Sequence, residues 1–404
     1  MLGGRSESCE QSLSPSERLG VMVVFGTRPE AIKLAPVIAI LSADGRFSVR
    51  VVSTGQHREM IREIIGPLGI RPDVDLDIMK AGQSLNDIVL GALSRLDSLY
   101  RDARPDIVVI QGDTSTAFAA ALAAFHRKIP VAHVEAGLRS HDRQHPYPEE
   151  ANRRMISALA DLHFAPTRKA AENLIAETAP AESVFVTGNT VIDTLKLALR
   201  AETATTCQIE PGRDLVLITL HRREAWDAQN EDGSNVLANI LRGIREAVAD
   251  HPGATFVYPM HRNPHVRQAA QHLLGSLPNM RLIDPLPYFE FIGLMSRSKL
   301  IVTDSGGIQE EAPSLGVPVL VLRRTTERPE ALQSGWNVLV GTDGGDIRAA
   351  IAAELRLNRP RPSSIPCPGP FGDGRASERI RDALLAFGNR SARRPVDFVD
   401  NGAG

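Results

Sequence analysis

Residues 21–33 read VMVVFGTRPEAIK. Val21 to Phe25 run without a polar break, and Gly26-Thr27-Arg28-Pro29-Glu30 follows at once. An uninterrupted apolar run of this length reads as a strand buried on both faces, as in a parallel sheet. Thr27 and Glu30 have the spacing of a capping box, and Pro29 is tolerated in the first turn of a helix. A strand therefore passes directly into a helix. The exposed N–H groups of that helix start favour an anion, and Arg28 and Lys33 add full charges. Taken alone, the segment is equally an ordinary capped helix with two solvated cations. Neither the dinucleotide fingerprint G-x-G-x-x-G nor a P-loop is present.

Five more stretches are built this way: IVVIQGDTST (107–116), VAHVEAGLRS (131–140), LVLITLHRRE (215–224), LIVTDSGGIQEE (300–311) and VLVLRRTTERPE (319–330). In open parallel sheets ligands bind beyond the carboxyl ends of the strands, where all six loops would open. Strand-like runs at 21–25, 49–53, 107–110 and 131–134 alternate with helical patterns at 28–42, 58–65, 115–126 and 149–162. After a helix at 191–201 and a polar link at 202–212, the alternation restarts with runs at 215–220, 255–258, 281–283, 300–302 and 319–322 and a helix at 235–250. The class is therefore α/β. Residues 20–190 form the first domain and 191–375 the second. The proline-rich stretch 358–370 cannot be regular helix, and a last helix lies near 376–388. Residues 1–19 and 389–404 read as disordered tails.

At 404 residues the chain can bury two full cores. A net charge of −2 leaves no basic footprint for nucleic acid. Cys9, Cys207 and Cys367 are too scattered for a metal knuckle or disulfide framework, so a reducing cytoplasm is expected. The apolar patch 118–125 is too short to span a bilayer, and residues 1–19 lack an apolar signal core.

The loops hold the candidate chemistry. Asp304-Ser305-Gly306-Gly307 repeats the helix-start device in the second half, and Glu310 or Glu311 in the first turns could accept from a ribose diol. Arg323, Arg324 and Arg328 cluster after a strand. Asp113 follows a strand and could simply cap the next helix. Glu135 interrupts an apolar run, where a carboxylate pays desolvation unless partnered. Glu149 and Glu150 open a helix. His221, flanked by Arg222 and Arg223, is placed for a phosphate oxygen. No cysteine or G-x-S-x-G offers a nucleophile. The histidines His126, His133, His141 and His145 lack a recognisable metal-ligand spacing.

Together, FGTRPEAIKLAPVI, TGQHREM, GDTSTAFAAALAAF, VAHVEAGLRS, YPEEANRRMISALADLHFAPT, VTGNTVIDTL, HRRE, YPMHRNPHVR, VTDSGGIQEEAPSLGVPVLVLR and TTERPEAL resemble the non-hydrolysing UDP-N-acetylglucosamine 2-epimerases, in order and spacing, from about residue 21 to 372. The resemblance implies two Rossmann-like domains facing across a cleft (the glycosyltransferase B type), with the C-terminal helix returning to the first domain. It implies a homodimer, no metal and no cofactor. The implied reaction interconverts UDP-GlcNAc and UDP-ManNAc by eliminating UDP to 2-acetamidoglucal and adding it back. Arg28, Lys33, His221 and Arg328, with Ser305, Gly306 and Gly307, would hold the diphosphate. Glu311 would bind the ribose, and Phe291 would lie near uracil. Asp113, Glu135 and Glu149, with His221, match the catalytic positions. Gln56, Arg222 and His261 match a possible allosteric site for a second UDP-GlcNAc.

Three stretches depart from the family pattern. Residues 225–233 are longer and bulkier than usual, His141 and His145 stand where glycine and serine are usual, and Leu286 stands where some members have glutamine. A modified UDP-sugar such as a diacetamido uronic acid, a hydrolysing relative releasing ManNAc and UDP, a true glycosyltransferase and a non-catalytic nucleotide-sugar binder are the alternatives.

Overall fold

The computed structural model describes residues 17–55, 65–80, 82–177, 179–200, 210, 212–220, 235–326, 328–357, 359–360, 367–389 and 393–400. The first half holds β1 (Leu19–Phe25), α1 (Arg28–Ala43), β2 (Phe47–Ser53), β3 (Val74–Asp75), α2 (Leu85–Ala103), β4 (Ile107–Gln111), α3 (Ser115–His126), β5 (Val131–Val134), α4 (Glu149–Leu159), β6 (Leu162–Ala165), α5 (Arg168–Ala176) and β7 (Val184–Val186). These strands form one parallel sheet in the order β3-β2-β1-β4-β5-β6-β7. The order reverses between β1 and β4, which opens a crevice at their carboxyl ends.

The second half starts with α6 (Thr190–Arg200) and continues through β8 (Asp214–Thr219), α7 (Val236–Asp250), β9 (Ala254–Pro259), α8 (Pro264–Leu274), β10 (Met280–Ile283), α9 (Tyr288–Arg297), β11 (Leu300–Thr303), α10 (Gly306–Ser314), β12 (Val319–Val321), α11 (Pro329–Gln333), β13 (Asn337–Leu339) and α12 (Gly344–Arg356). Its parallel sheet runs β10-β9-β8-β11-β12-β13 and reverses between β8 and β11. Helix α13 (Ala376–Phe387) closes the chain's regular structure. The α/β class holds: two Rossmann-like sheets face each other, the glycosyltransferase B arrangement.

The joint between the halves is apolar. α6 packs on α1 and α13 on one side and on α9 and α10 on the other. Its Val191, Ile192 and Leu195 are buried in a core that both domains share, each stabilising by about 1.5–3 kcal/mol. Asp193 of α6 accepts from the backbone N–H groups of Ala376 (3.1 Å) and Ser377 (2.8 Å), capping α13.

Two expectations need correction. The helix expected at 149–162 ends at Leu159, and Leu162 begins β6. Asp161 N–H bonds to Val131 O at 2.8 Å, so the ladder takes the backbone that the helix gives up. The tail expected to be disordered is ordered at residues 393–400. Phe398 is buried and its N–H bonds to Val186 O at 2.6 Å. The Arg394 guanidinium lies 4.3 Å from the Phe185 ring centroid and donates to the carbonyls of Glu182 and Val184. These contacts cover β7, the outer edge of the first sheet, which would otherwise present unpaired backbone groups.

Candidate active site

The loop after β1 is held from within. Glu30 accepts from Gly26 N–H (2.9 Å), Thr27 N–H (2.6 Å) and Thr114 Oγ1 (2.6 Å). Burial pushes the Glu30 carboxyl up, and these three donors pull it back. Glu30 thus ties the β1 loop to the β4 loop. Gly26 is needed there: a Cβ would collide with Thr54 Oγ1 and come 2.7 Å from Thr116 Oγ1.

Asp113, on the β4 loop, pairs with Arg153 of α4 at 2.6 Å, and Asn152 Nδ2 donates to its carbonyl at 2.8 Å. One helix therefore positions two expected acids, since Glu149 begins α4 itself. Its neighbour Glu150 is structural: it is fully buried and accepts from Ser140 N–H at 2.9 Å and from Arg153 and Arg154 at 3.3 Å. His133 Nε2 meets Gly112 O at 2.7 Å, and burial pushes this imidazole down to about 3. It braces the Asp113 loop as a neutral ring.

Glu135 lies just past β5 at φ +65. Its carboxylate is in an ion pair with Lys33 and accepts from Asn189 Nδ2 at 3.2 Å. Lys33 also stands 3.6 Å from Glu310 of α10, in the second domain.

On that side Ser305, Gly306 and Gly307 open α10 directly after β11. Arg328 Nε donates to Glu310 Oε1 at 2.6 Å. The Arg328 guanidinium lies over Gly306, where a Cβ would sit 2.6 Å from its Nη1. Glu311 points elsewhere, accepting from Tyr288 Oη at 2.9 Å. Burial raises the Glu311 carboxyl to about 7, while the charges of Lys33 and Arg28 from the first domain pull it down. Phe291 follows one turn after Tyr288 and packs against the shared core. His261, past β9, accepts Asn263 N–H at 3.1 Å. Burial lowers its imidazole, and Asp304 at the end of β11 opposes that.

The structure thus brings Lys33, Glu135 and Arg328 into one network, places Glu311 within the field of Arg28 and Lys33, and ties the Asp113 loop to α4, which Glu149 begins. Gln56, His221 and Arg222 lie outside the described residues, as does the loop 225–233. Of the two acids that could face a ribose, Glu310 is excluded because its carboxylate is saturated by Arg328, Lys33 and Asn189. Sequence reasoning missed Tyr288, Asn189 and Arg153. Only Arg153 carried a signal, four residues after Glu149 on one helix face.

A cavity of about 720 Å³ opens between residues 138–146, α5 and residues 323–330. Arg139, His141, His145, Lys169 and Arg323 line it, with Asp142 and Glu330 as the acids. Thr167 Oγ1 donates to Glu330 Oε1 at 2.7 Å, joining the two domains at its wall. Among the described residues no helix is long and apolar enough to cross a membrane.

Comparison with known proteins agrees with this arrangement. The family profile described as UDP-N-acetylglucosamine 2-epimerase matches residues 39–385. A Bacillus subtilis protein named UDP-N-acetylglucosamine 2-epimerase is 44% identical over 384 residues, 95% of this chain and 99% of its own. The Staphylococcus aureus MnaA–UDP co-structure superposes with a TM-score of 0.84 at 40% identity, covering 94% of this chain and 99% of that one. The Neisseria meningitidis UDP-GlcNAc 2-epimerase bound to UDP-GlcNAc gives a TM-score of 0.81 at 44% identity, covering 90% and 99%. Two facing sheets, acids on the loops of one and a cation-capped helix start on the other, together with these matches over nearly the whole chain, make this protein a member of the UDP-N-acetylglucosamine 2-epimerase family of enzymes.

Proposed function

We propose that the chain interconverts UDP-GlcNAc and UDP-ManNAc by eliminating UDP to 2-acetamidoglucal and adding it back after protonation on the other face. The observation that carries this reading is the ion pair between Lys33 and Glu135, with Arg328 held beside it across the domain boundary. Expelling UDP requires preorganised positive charge on a leaving diphosphate. Lys33, Arg328, Arg28 and the N–H groups of Ser305, Gly306 and Gly307 supply it, with His221 in support. Binding makes Lys33 exchange its carboxylate partner for phosphate oxygens, which releases Glu135 beside the sugar, while Arg328 keeps Glu310 and offers its remaining N–H groups to the diphosphate. Inversion at a carbon needs a base on one face and an acid on the other. Asp113, Glu135 and Glu149 serve those faces. Glu311 takes the ribose hydroxyls and Phe291 flanks uracil. The route forms and breaks C–O and C–H bonds without net oxidation, so it calls on no redox cofactor. Gln56, Arg222 and His261 form the proposed site for an activating second UDP-GlcNAc, and the working unit is a cytoplasmic homodimer.

Incubation with UDP-GlcNAc in deuterated water, followed by proton NMR, tests the chemistry. Deuterium must enter at C2 of both sugars, and both must be recovered as UDP-linked products. Accumulation of free ManNAc and UDP identifies a hydrolysing enzyme, and no exchange at C2 refutes epimerisation.

A second reading, an acidic UDP-sugar as the natural substrate, is favoured by the lining of the interdomain cavity. His141 lines it with Arg139, Lys169 and Arg323, a set of basic side chains suited to an acidic group. Comparing kcat/KM for UDP-GlcNAc and its uronate analogue separates the two.

A further inference from the structure

Asn189 stands where the two halves meet. Its backbone N–H bonds to Phe371 O at 2.6 Å, and its Oδ1 accepts from Val191 N–H at 3.1 Å, capping α6. Those contacts fix the direction of the amide. Its Nδ2 then donates to two carboxylates from different domains: Glu135 Oε2 at 3.2 Å and Glu310 Oε2 at 3.0 Å. A side-chain amide has two N–H groups, one for each.

Glu310 completes the link. Its side chain is 0% exposed, and an ionised carboxylate so placed persists only when its oxygens are satisfied. Arg328 Nε takes Oε1 at 2.6 Å, while Asn189 takes Oε2 with Lys33 3.6 Å away. Glu310 thereby turns the rest of the Arg328 guanidinium toward Gly306 and the start of α10.

We propose that Asn189 and Glu310 are positioning residues that hold Glu135 in fixed register with Arg328, so that acid–base group and leaving-group cation meet the substrate preassembled. This rests on the reading of Glu135 as an acid–base group. Glu135 sits at φ +65, a backbone conformation that persists at a residue other than glycine only where its surroundings hold it. In the unliganded protein Lys33 and Asn189 share that task. Once phosphate oxygens draw Lys33 away, the Asn189 amide is the contact that remains. Displacing a reacting group by an ångström costs turnover while leaving nucleotide contacts intact.

The test measures kcat, KM, the dissociation constant for UDP by calorimetry, and Tm for Asn189→Ala, Asn189→Asp, Glu310→Gln and the double variant Asn189→Ala/Glu310→Gln. Asn189→Asp keeps the α6 cap but turns an acceptor toward two carboxylates. Both Asn189 variants are expected to lower kcat by about tenfold or more while the UDP dissociation constant stays within about threefold. The double variant should lose less than the product of its parents, because both break one linkage. Unchanged kcat in Asn189→Asp overturns the proposal. So does a loss of kcat that tracks UDP affinity and Tm in every variant, or strict additivity. Should Asn189→Ala fail to fold, Asn189→Asp and Glu310→Gln decide by the same criteria. A wild type that binds UDP yet places no deuterium at C2 sinks the parent reading instead; an active wild type with a fully active Asn189→Asp sinks only this one.

Discussion

The starts of α1 and α10 are the same device used twice. Each follows a buried parallel strand, each turns on glycine, and each carries an acid early in its helix. Glu30 folds back on its own loop, accepting from Gly26, Thr27 and Thr114. Glu310 reaches out of its domain, to Lys33 and to the joint residue Asn189, while gripping Arg328. The first acid makes a loop rigid. The second links residues of the two domains. Local sequence cannot separate them, because the difference lies in what packs against each carboxylate.

The largest effect should come from removing an acid on the reacting side of this comparison. Glu135→Gln keeps the shape and the reach toward Asn189 but gives up the charge that, in the proposed mechanism, moves a proton; a general acid–base group contributes about 10²–10⁴ in rate. Turnover should fall by that much with UDP affinity within a few-fold, read by steady-state kinetics and calorimetry, and near-normal turnover removes Glu135 from its assigned role.

Paired alanines at the two glycines sharpen the contrast. In Gly306→Ala the new methyl meets the Arg328 guanidinium. UDP affinity should fall by about tenfold, the worth of one displaced charge-assisted contact. In Gly26→Ala it meets the hydroxyls of Thr54 and Thr116. The cost should appear as stability, about 1–3 kcal/mol for an overpacked site. Thermal melts and UDP titrations on both variants check this, and the contrast breaks if the two show the same profile.

The smallest effect concerns acid sensitivity of the first domain. Burial holds His133 near 3 and His163 near 4, whereas an unfolded imidazole titrates near about 6.5. Above that pH both states are neutral and nothing is lost. As pH falls further, the unfolded chain takes up protons that the folded chain refuses, so stability declines toward pH 4 and below. Glu311, raised to about 7, acts with the opposite sign, because the folded state binds its proton first. The slope of urea midpoint against pH between 6.5 and 5 should therefore be compared between wild type and His163→Asn. Loss of the histidine should make acid less destabilising, and an identical slope contradicts the assignment.

Much of the architecture was readable because central parallel strands are buried on both faces and leave unbroken apolar runs, as at Val21–Phe25 and Ile107–Ile110. α2 went unread although Ile88, Ala92, Leu96 and Tyr100 recur at helical spacing and are all buried. No glycine-bearing loop of the repeating kind announces it. The boundary between α4 and β6 was blurred because Leu159-Ala160-Asp161-Leu162 suits either state until the sheet claims it. The ordered tail owes its place to β7, an edge that composition cannot reveal.

By itself the amino-acid sequence determined the two α/β halves, the loops proposed to carry the chemistry and the kinds of side chain on them, since strand burial, helix starts and charge are properties of neighbours along the chain. The tertiary structure alone decided which carboxylate meets which cation. Lys33 and Glu135 are 102 residues apart and Asn189 and Glu310 are 121 apart, and a buried charge takes its function from whatever partner the fold brings within a few ångströms.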